Sequence, residues 1–301
     1  MRRKYIIEIA CVLSLLLIYG ISKRYVFPTV EQNVAEEVKE PDQKQFASGI
    51  EIQKKEMGEE QDKITYFVTE VQLEDATELK TAFAHNQYGL NIRDTVSDIA
   101  GEHQAVFAVN GDYYGFRTDG IVIRNGVLYR DEPTERECLV MYRDGHVEVM
   151  KEGSVSGEKL IEAGAWNVFS FGPVLVEDGK VRDGLDEPYH VDLINESISG
   201  KQPRTGIGIL GPNHFLIATV DGRAEGYSCG MTFRELAELF VSYGCELAYN
   251  LDGGSSVTLY REGEVINRPC TKSGKERNIS DIIYIGEGGR VTDESSSDTG
   301  L

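Results

Sequence analysis

Asn250-Leu251-Asp252-Gly253-Gly254-Ser255-Ser256 is a polar loop set between the apolar segments Leu247-Ala248-Tyr249 and Val257-Thr258-Leu259-Tyr260. One carboxylate, two adjacent glycines and two hydroxyls fall where a strand must stop and restart. Adjacent glycines let backbone N–H groups approach a ligand closely, while Asp252, Ser255 and Ser256 add an acid, acceptors and donors within one turn. The same letters also read as a hairpin turn, because Asp-Gly between apolar runs is a strong short hairpin signal. The rest of the chain decides between a site and a turn.

Upstream, Thr232-Phe233-Arg234-Glu235 has the spacing of a capping box, Leu236, Leu239 and Phe240 form an apolar stripe, and Gly244 stands at the expected stop. Helix, strand, polar loop and strand then form a unit suited to holding Asp252 rigidly. Farther out, Ile64 to Val68 alternates as a strand and leads to Val71 and Leu73, Ile92, Val96 and Ile99 fall at helical spacing, and Ala105 to Val109 reads as a buried strand. Hairpins are expected at Asn125-Gly126, Asp144-Gly145 and Asp178-Gly179. Many hairpin signals with two or three amphipathic helices specify an α+β fold, a mixed, largely antiparallel β core with a few packed helices. One globular domain is expected over residues 62–285.

Residues 1–4 form a basic cap, and 5–21 form an apolar run interrupted by Glu8. This pattern predicts a transmembrane signal-anchor with a cytoplasmic N-terminus and an extracytoplasmic body at the cell membrane. A cleaved signal peptide is the alternative, and it also exports the body. Residues 22–61, rich in Glu, Lys and Gln, read as a flexible charged stalk, and residues 286–301 as a disordered acidic tail.

The chain carries 31 Lys and Arg against 50 Asp and Glu, a net charge of −19. Such a field repels nucleic acid, and an anionic substrate must be drawn in by a local arginine cluster. Cys138, Cys229, Cys245 and Cys270 lie in the expected exported body. Cys229 and Cys245 flank the predicted helix, too far apart for a direct bond; other pairings and four free thiols both remain open. The cysteine spacing fits no zinc pattern and the five His are scattered, so no metal ligand is assigned. No cofactor is implied, although the many carboxylates are compatible with a divalent cation such as calcium.

Four clusters sit beside strand-like runs, as expected where strand ends gather a site. They are Asn110-Gly111-Asp112-Tyr113-Tyr114, Pro203-Arg204-Thr205-Gly206, Asp221-Gly222-Arg223 and the opening loop. With Gly230-Met231-Thr232 and Glu235-Leu236-Ala237, in this order, the set resembles the phosphodiester glycosidase family over about residues 62 to 285. Two positions depart from that pattern, Asp112 and Ser255, where many relatives carry Gly.

The resemblance implies an exported hydrolase that cleaves the glycosidic bond of sugar-1-phosphodiesters, N-acetylglucosamine-type or related sugars in envelope or exopolysaccharide polymers. Cleavage at an anomeric carbon passes through an oxocarbenium-like state and needs a carboxylate as nucleophile or as base for water. Asp252 is the principal carboxylate on this reading, Asp221 its partner and Asp112 an extra acid. Arg204 and Arg223 hold the phosphodiester, with Asn110, Thr205, Gly253, Gly254, Ser255 and Ser256 orienting the substrate. His190 reads as a loop histidine, and Glu225, Glu235 and Arg277 as supporting positions. No Gly-x-Ser-x-Gly elbow surrounds Ser255 or Ser256, which weighs against a Ser/His/Asp hydrolase. The competing function is a non-catalytic envelope glycan-binding protein that assists exopolysaccharide assembly and stacks sugars on Tyr113 and Tyr114.

Overall fold

The computed structural model describes residues 27–34, 48–190, 198–286 and 289–292. Runs rich in Val, Ile, Phe and Tyr, some alternating with exposed polar residues near the strand end and others, such as Gly120–Arg124 and Ala165–Phe169, buried throughout, form three larger sheets. The first has eight strands in the spatial order Lys180–Val181, Val174–Glu177, Leu247–Asn250, Arg204–Gly211, His214–Val220, Ile64–Gln72, Ser48–Met57 and Gly289–Thr292. The second has five, Glu264–Val265, Leu259–Arg261, Ala105–Asn110, Asp281–Gly286 and Lys80–Phe83. The third runs Val147–Lys151, Glu137–Tyr142, Ala165–Phe169, Gly120–Arg124 and Val127–Glu132. A two-stranded pair joins Thr29–Asn33 to Gln87–Leu90. Among the described residues the ladders are antiparallel except that of Ser48–Glu51 with Gly289–Thr292, so the expected largely antiparallel core with few helices holds.

The period-two alternation of each strand sends one set of side chains inward and the other outward. Phe67, Ile207, Ile217 and Tyr249 of the eight-stranded sheet meet Val109, Leu259 and Ile283 of the second sheet in the main core. The outer faces carry helices. Helix α1 (Val96–Glu102) covers the second sheet through Val96, Ile99 and Ala100, α2 (Gly157–Glu162) covers the third through Leu160, and α3 (Phe233–Ser242) covers the first through Phe233, Leu236 and Phe240. The α3 cap is the one the sequence specifies: the Glu235 N–H donates to Thr232 Oγ1 at 3.1 Å and the Thr232 N–H to Glu235 Oε2 at 2.8 Å.

The three expected hairpins form, at Asn125-Gly126, Asp144-Gly145 and Asp178-Gly179. The Asp252 loop is different. Leu247–Asn250 pairs within the eight-stranded sheet, whereas Leu259–Arg261 pairs with Ala105–Asn110 in the second sheet. The loop therefore crosses between sheets and is no hairpin turn.

Two expected boundaries need correction. Residues 48–57, inside the supposed stalk, form a strand paired along Ile64–Gln72, because Ile50 and Ile52 are buried in the core while Lys54, Lys55 and Glu56 stand exposed toward its far end. Residues 289–292, inside the supposed tail, pair with that same strand. The apolar run 5–21 lies outside the described residues, and no helix among the described residues is long and apolar enough to cross a membrane. Cys138, Cys229, Cys245 and Cys270 are free thiols.

Candidate active site

The site forms where the two sheets adjoin. Asn110 closes a strand of the second sheet, Thr205 is the second residue of a strand in the first, and the Asp252 loop runs between them. The Thr205 hydroxyl donates to Asn110 Oδ1 at 2.7 Å, and Asn110 Nδ2 donates to the Asp252 carbonyl at 2.7 Å. The Leu251 N–H donates to the Thr205 carbonyl and the Gly254 N–H to the Pro203 carbonyl, each at 2.9 Å. A Cβ on Gly253 would lie 2.8 Å from the Pro203 oxygen, so the loop packs this tightly only as bare backbone.

These bonds fix the Asp252 carboxyl near the surface, with the residue 8% exposed. Its Oδ1 accepts the Gly253 N–H at 2.9 Å. Burial pushes this carboxyl above the usual carboxylate range; hydrogen bonding to Ser256, the Arg277 charge and the Gly253 amide pull the other way, and the Asp112 charge adds to the rise.

Two guanidiniums border the 3-10 turn Gly254–Ser256. Arg277 Nη1 donates to the Ser256 hydroxyl at 3.3 Å. Arg223 Nη2 stands 3.2 Å from where a Gly254 Cβ would be, and Arg223 Nε donates to Gln202 Oε1 at 2.7 Å. Arg277 also lies 5.4 Å from the Phe116 ring centroid, as does Arg93, and Tyr113 stacks on Phe116 at 4.5 Å. An acid, two bound arginines and a half-buried aromatic shelf thus share one region of an otherwise acidic protein.

Behind Asp252 lies a second, fully enclosed set of charges. Arg124 Nε meets Asp281 Oδ2 at 2.9 Å, and Arg124 Nη2 meets Asp112 Oδ1 at 3.1 Å. The Tyr114 and Ser170 amides donate to the two Asp112 oxygens at 2.9 and 3.1 Å. Burial raises the Asp112 carboxyl, but Arg124, Arg117 and these amides outweigh it and hold it below the usual range. Asp281 has less help. Burial pushes it up to about 8, against Arg124 and with the repulsion of Asp112 and Asp252. Asp112 draws on Arg117 and two amides besides Arg124, whereas Asp281 has Arg124 alone, so burial prevails at Asp281. A Cβ on Gly111 would come within 2.4 Å of Asp281 Oδ1, which explains the glycine between Asn110 and Asp112.

Several expected site residues lie elsewhere. Asp112 is buried against Arg124, with its side chain closed off from solvent. Asp221 accepts from Asn267 Nδ2 at 2.9 Å, the Tyr227 hydroxyl at 2.8 Å and the Arg268 N–H at 3.1 Å, and burial raises it above the usual range. Asn267 in turn accepts from the Leu259 N–H and donates to the Val257 carbonyl. Asp221 thereby anchors the segment after the Asp252 loop, with both carboxyl oxygens engaged. Arg204 is only 2% exposed and points to the α3 side of its sheet. It donates to the carbonyls of Met231, Ile198 and Gly200 and lies 4.0 Å from the Phe233 ring, so its guanidinium is occupied. Burial pulls it down to about 9. Tyr114 is 1% exposed, within a core cluster with Phe83 and Tyr88, and is no sugar platform. Ser255 accepts from the Cys270 thiol at 3.7 Å, His190 and Glu225 are exposed, and Glu235 caps α3.

Arg124, Asp281, Arg93 and Phe116 stand outside every motif of the sequence, and Arg277 reads there only as a supporting position. The one available signal was polar residues interrupting apolar strands, as Arg124 and Asp281 do at the ends of Gly120–Arg124 and Asp281–Gly286.

The family model of the phosphodiester glycosidases matches residues 103–286. A SPbeta prophage-derived uncharacterized protein of Bacillus subtilis (strain 168), YomE, is 35% identical over 206 residues, covering 66% of this chain and 30% of that protein. The chain thus spans about a third of that relative's length. The zebrafish N-acetylglucosamine-1-phosphodiester alpha-N-acetylglucosaminidase catalytic domain, auto-inhibited by pro-peptide, aligns with a TM-score of 0.63 at 19% identity over 85% of this chain and 87% of that one. A hypothetical protein from Synechocystis aligns with a TM-score of 0.51 at 13% identity over 77% of this chain and 61% of that one. Both structural matches establish a shared fold.

Proposed function

The chain belongs to the phosphodiester glycosidase family, and on that premise we propose that it hydrolyses the bond between a sugar's anomeric carbon and the phosphate of a phosphodiester. The observation that carries this reading is that one loop holds both the nearly buried Asp252 carboxyl and, through Ser256, the Arg277 guanidinium. Asp252 supplies the carboxylate at the anomeric centre. The C1–O bond breaks with its electron pair going to the phosphate oxygen, water delivers its hydroxyl to C1 and releases its proton to solvent, and the products are a free sugar and a phosphate monoester. Phosphate is a good leaving group, so stabilising its charge counts for more than protonating it. Arg277 and Arg223 do this, and Tyr113 with Phe116 offers a face to the sugar ring. Asn110 and Thr205 hold the loop that aims Asp252.

Arg277→Ala is expected to lower kcat/KM on an N-acetylglucosamine-1-phosphodiester by about a hundredfold, with Arg277→Lys restoring part of it, because a guanidinium pairs with phosphate through two bonds and an ammonium through one. An unchanged kcat/KM in Arg277→Ala would contradict this assignment.

We also place the activity outside the cytosol, on envelope or exopolysaccharide glycans. The support is Arg2, Arg3 and Lys4 ahead of the apolar run 5–21. Protease added to intact cells is expected to digest the body; full protection until lysis would contradict export.

A further inference from the structure

The fold gathers His85, Asp94 and Glu102 onto one patch, apart from the Asp252 loop. One ligand-type atom from each lies within 4.8 Å of the others, and His85 Nδ1 stands 3.6 Å from Asp94 Oδ2. The three come from separate segments: a short 3-10 turn after Lys80–Phe83, the loop before α1, and the last residue of α1.

Each backbone is fixed independently of the cluster. Asp94 is bridged to Ile279 in both directions, its N–H to the Ile279 carbonyl at 3.0 Å and the Ile279 N–H to its carbonyl at 2.7 Å. Glu102 follows the buried Ile99 and Ala100 in α1. His85 sits between Ala84, whose N–H donates to the Ser280 carbonyl, and Asn86, whose carbonyl accepts the Val34 N–H. His85 and Asn86 both take left-handed φ, 56° and 52°, a conformation that costs an L-residue energy. Two carboxylates are therefore held together with one imidazole. Among the described residues neither carboxylate pairs with a Lys or Arg.

We propose that His85, Asp94 and Glu102 form a binding site for a divalent first-row transition-metal ion, zinc or manganese in class. One imidazole nitrogen with two carboxylates is a mixed N/O donor set that suits these ions; calcium and magnesium favour all-oxygen shells. Ligand bonds of about 2.0–2.2 Å put neighbouring donors roughly 3–3.5 Å apart, a contraction that side-chain torsions at the exposed His85 and Glu102 supply. Waters complete the shell. The bound ion neutralises the carboxylates and clamps the 84–86 turn to the start and end of α1, independently of the glycosidase chemistry.

The test is a calorimetric titration of the full chain, stripped with EDTA and freed of chelator, with zinc, manganese and calcium chlorides. Loss of the free manganese paramagnetic resonance signal provides the second readout. Expected is one saturable equivalent of zinc or manganese, bound at least about tenfold more tightly than calcium and weakened at least about tenfold by His85→Ala and by Glu102→Gln. His146→Ala, at an exposed histidine in the third sheet's hairpin, leaves binding unchanged. If His85→Ala does not fold, Glu102→Gln at the exposed helix end decides alone. No saturable binding, unchanged affinity in Glu102→Gln, or a preference for calcium would overturn the proposal.

Discussion

Arg124→Met is expected to lower the unfolding free energy by about 3–5 kcal/mol, the cost of leaving buried carboxylates without their counter-charge. The side chain is 2% exposed and touches Asp112, Asp281, the Val168 carbonyl and the Phe169 ring, so no water replaces it. For a domain of this size that is roughly a 10 °C fall in Tm. The same cluster sets a pH dependence. An unfolded Asp titrates near 4, whereas Asp281 titrates at about 8 in the fold. As pH rises the unfolded chain loses this proton first, so the contribution is fully present below about pH 4, is lost progressively up to pH 8 and is constant above. Asp281→Asn should flatten the Tm profile over that window. Urea unfolding of Arg124→Met within about 1 kcal/mol of the wild type would refute this reading of the core.

Asp252→Asn is expected to reduce kcat by at least about a thousandfold while the protein stays folded and still binds the diester. The amide keeps the shape of the carboxyl and an oxygen for the Gly253 N–H. It loses the negative charge that the oxocarbenium-like state requires. Stability should hold or rise, because burial already opposes ionisation at this position. Turnover, Tm and diester affinity measured on one preparation separate the outcomes. A large fall in Tm would instead mark Asp252 as structural.

What the sequence revealed was local. The α3 cap, the three Asn-Gly and Asp-Gly turns and the polar loop are specified by residues within a few positions of one another, and they form as written. Asn110, Thr205 and Asp252 lie together because each stands at or beside a strand end, and strand ends converge. Sidedness and register were less visible. Arg204 and Thr205 are neighbours, yet a strand sends them to opposite faces, and one reaches α3 while the other reaches Asn110. Arg124 and Asp281 lie 157 positions apart and meet only because Ala165–Phe169, Lys80–Phe83 and their sheets bring them together. The strand Ser48–Met57 was hidden by its own charges: Lys54, Lys55 and Glu56 lie on its exposed part, and Ile50 and Ile52 are its buried residues. His85, Asp94 and Glu102 carry no motif at all.

The most direct test of the central claim is release of free sugar by the full chain from a panel of sugar-1-phosphodiesters, including α-N-acetylglucosamine and glucose donors, with Asp252→Asn run beside it. Release by the wild type from at least one diester, and none by the variant, is expected. Binding of the same diesters by both proteins with no release by either would contradict hydrolysis and favour a glycan-binding role.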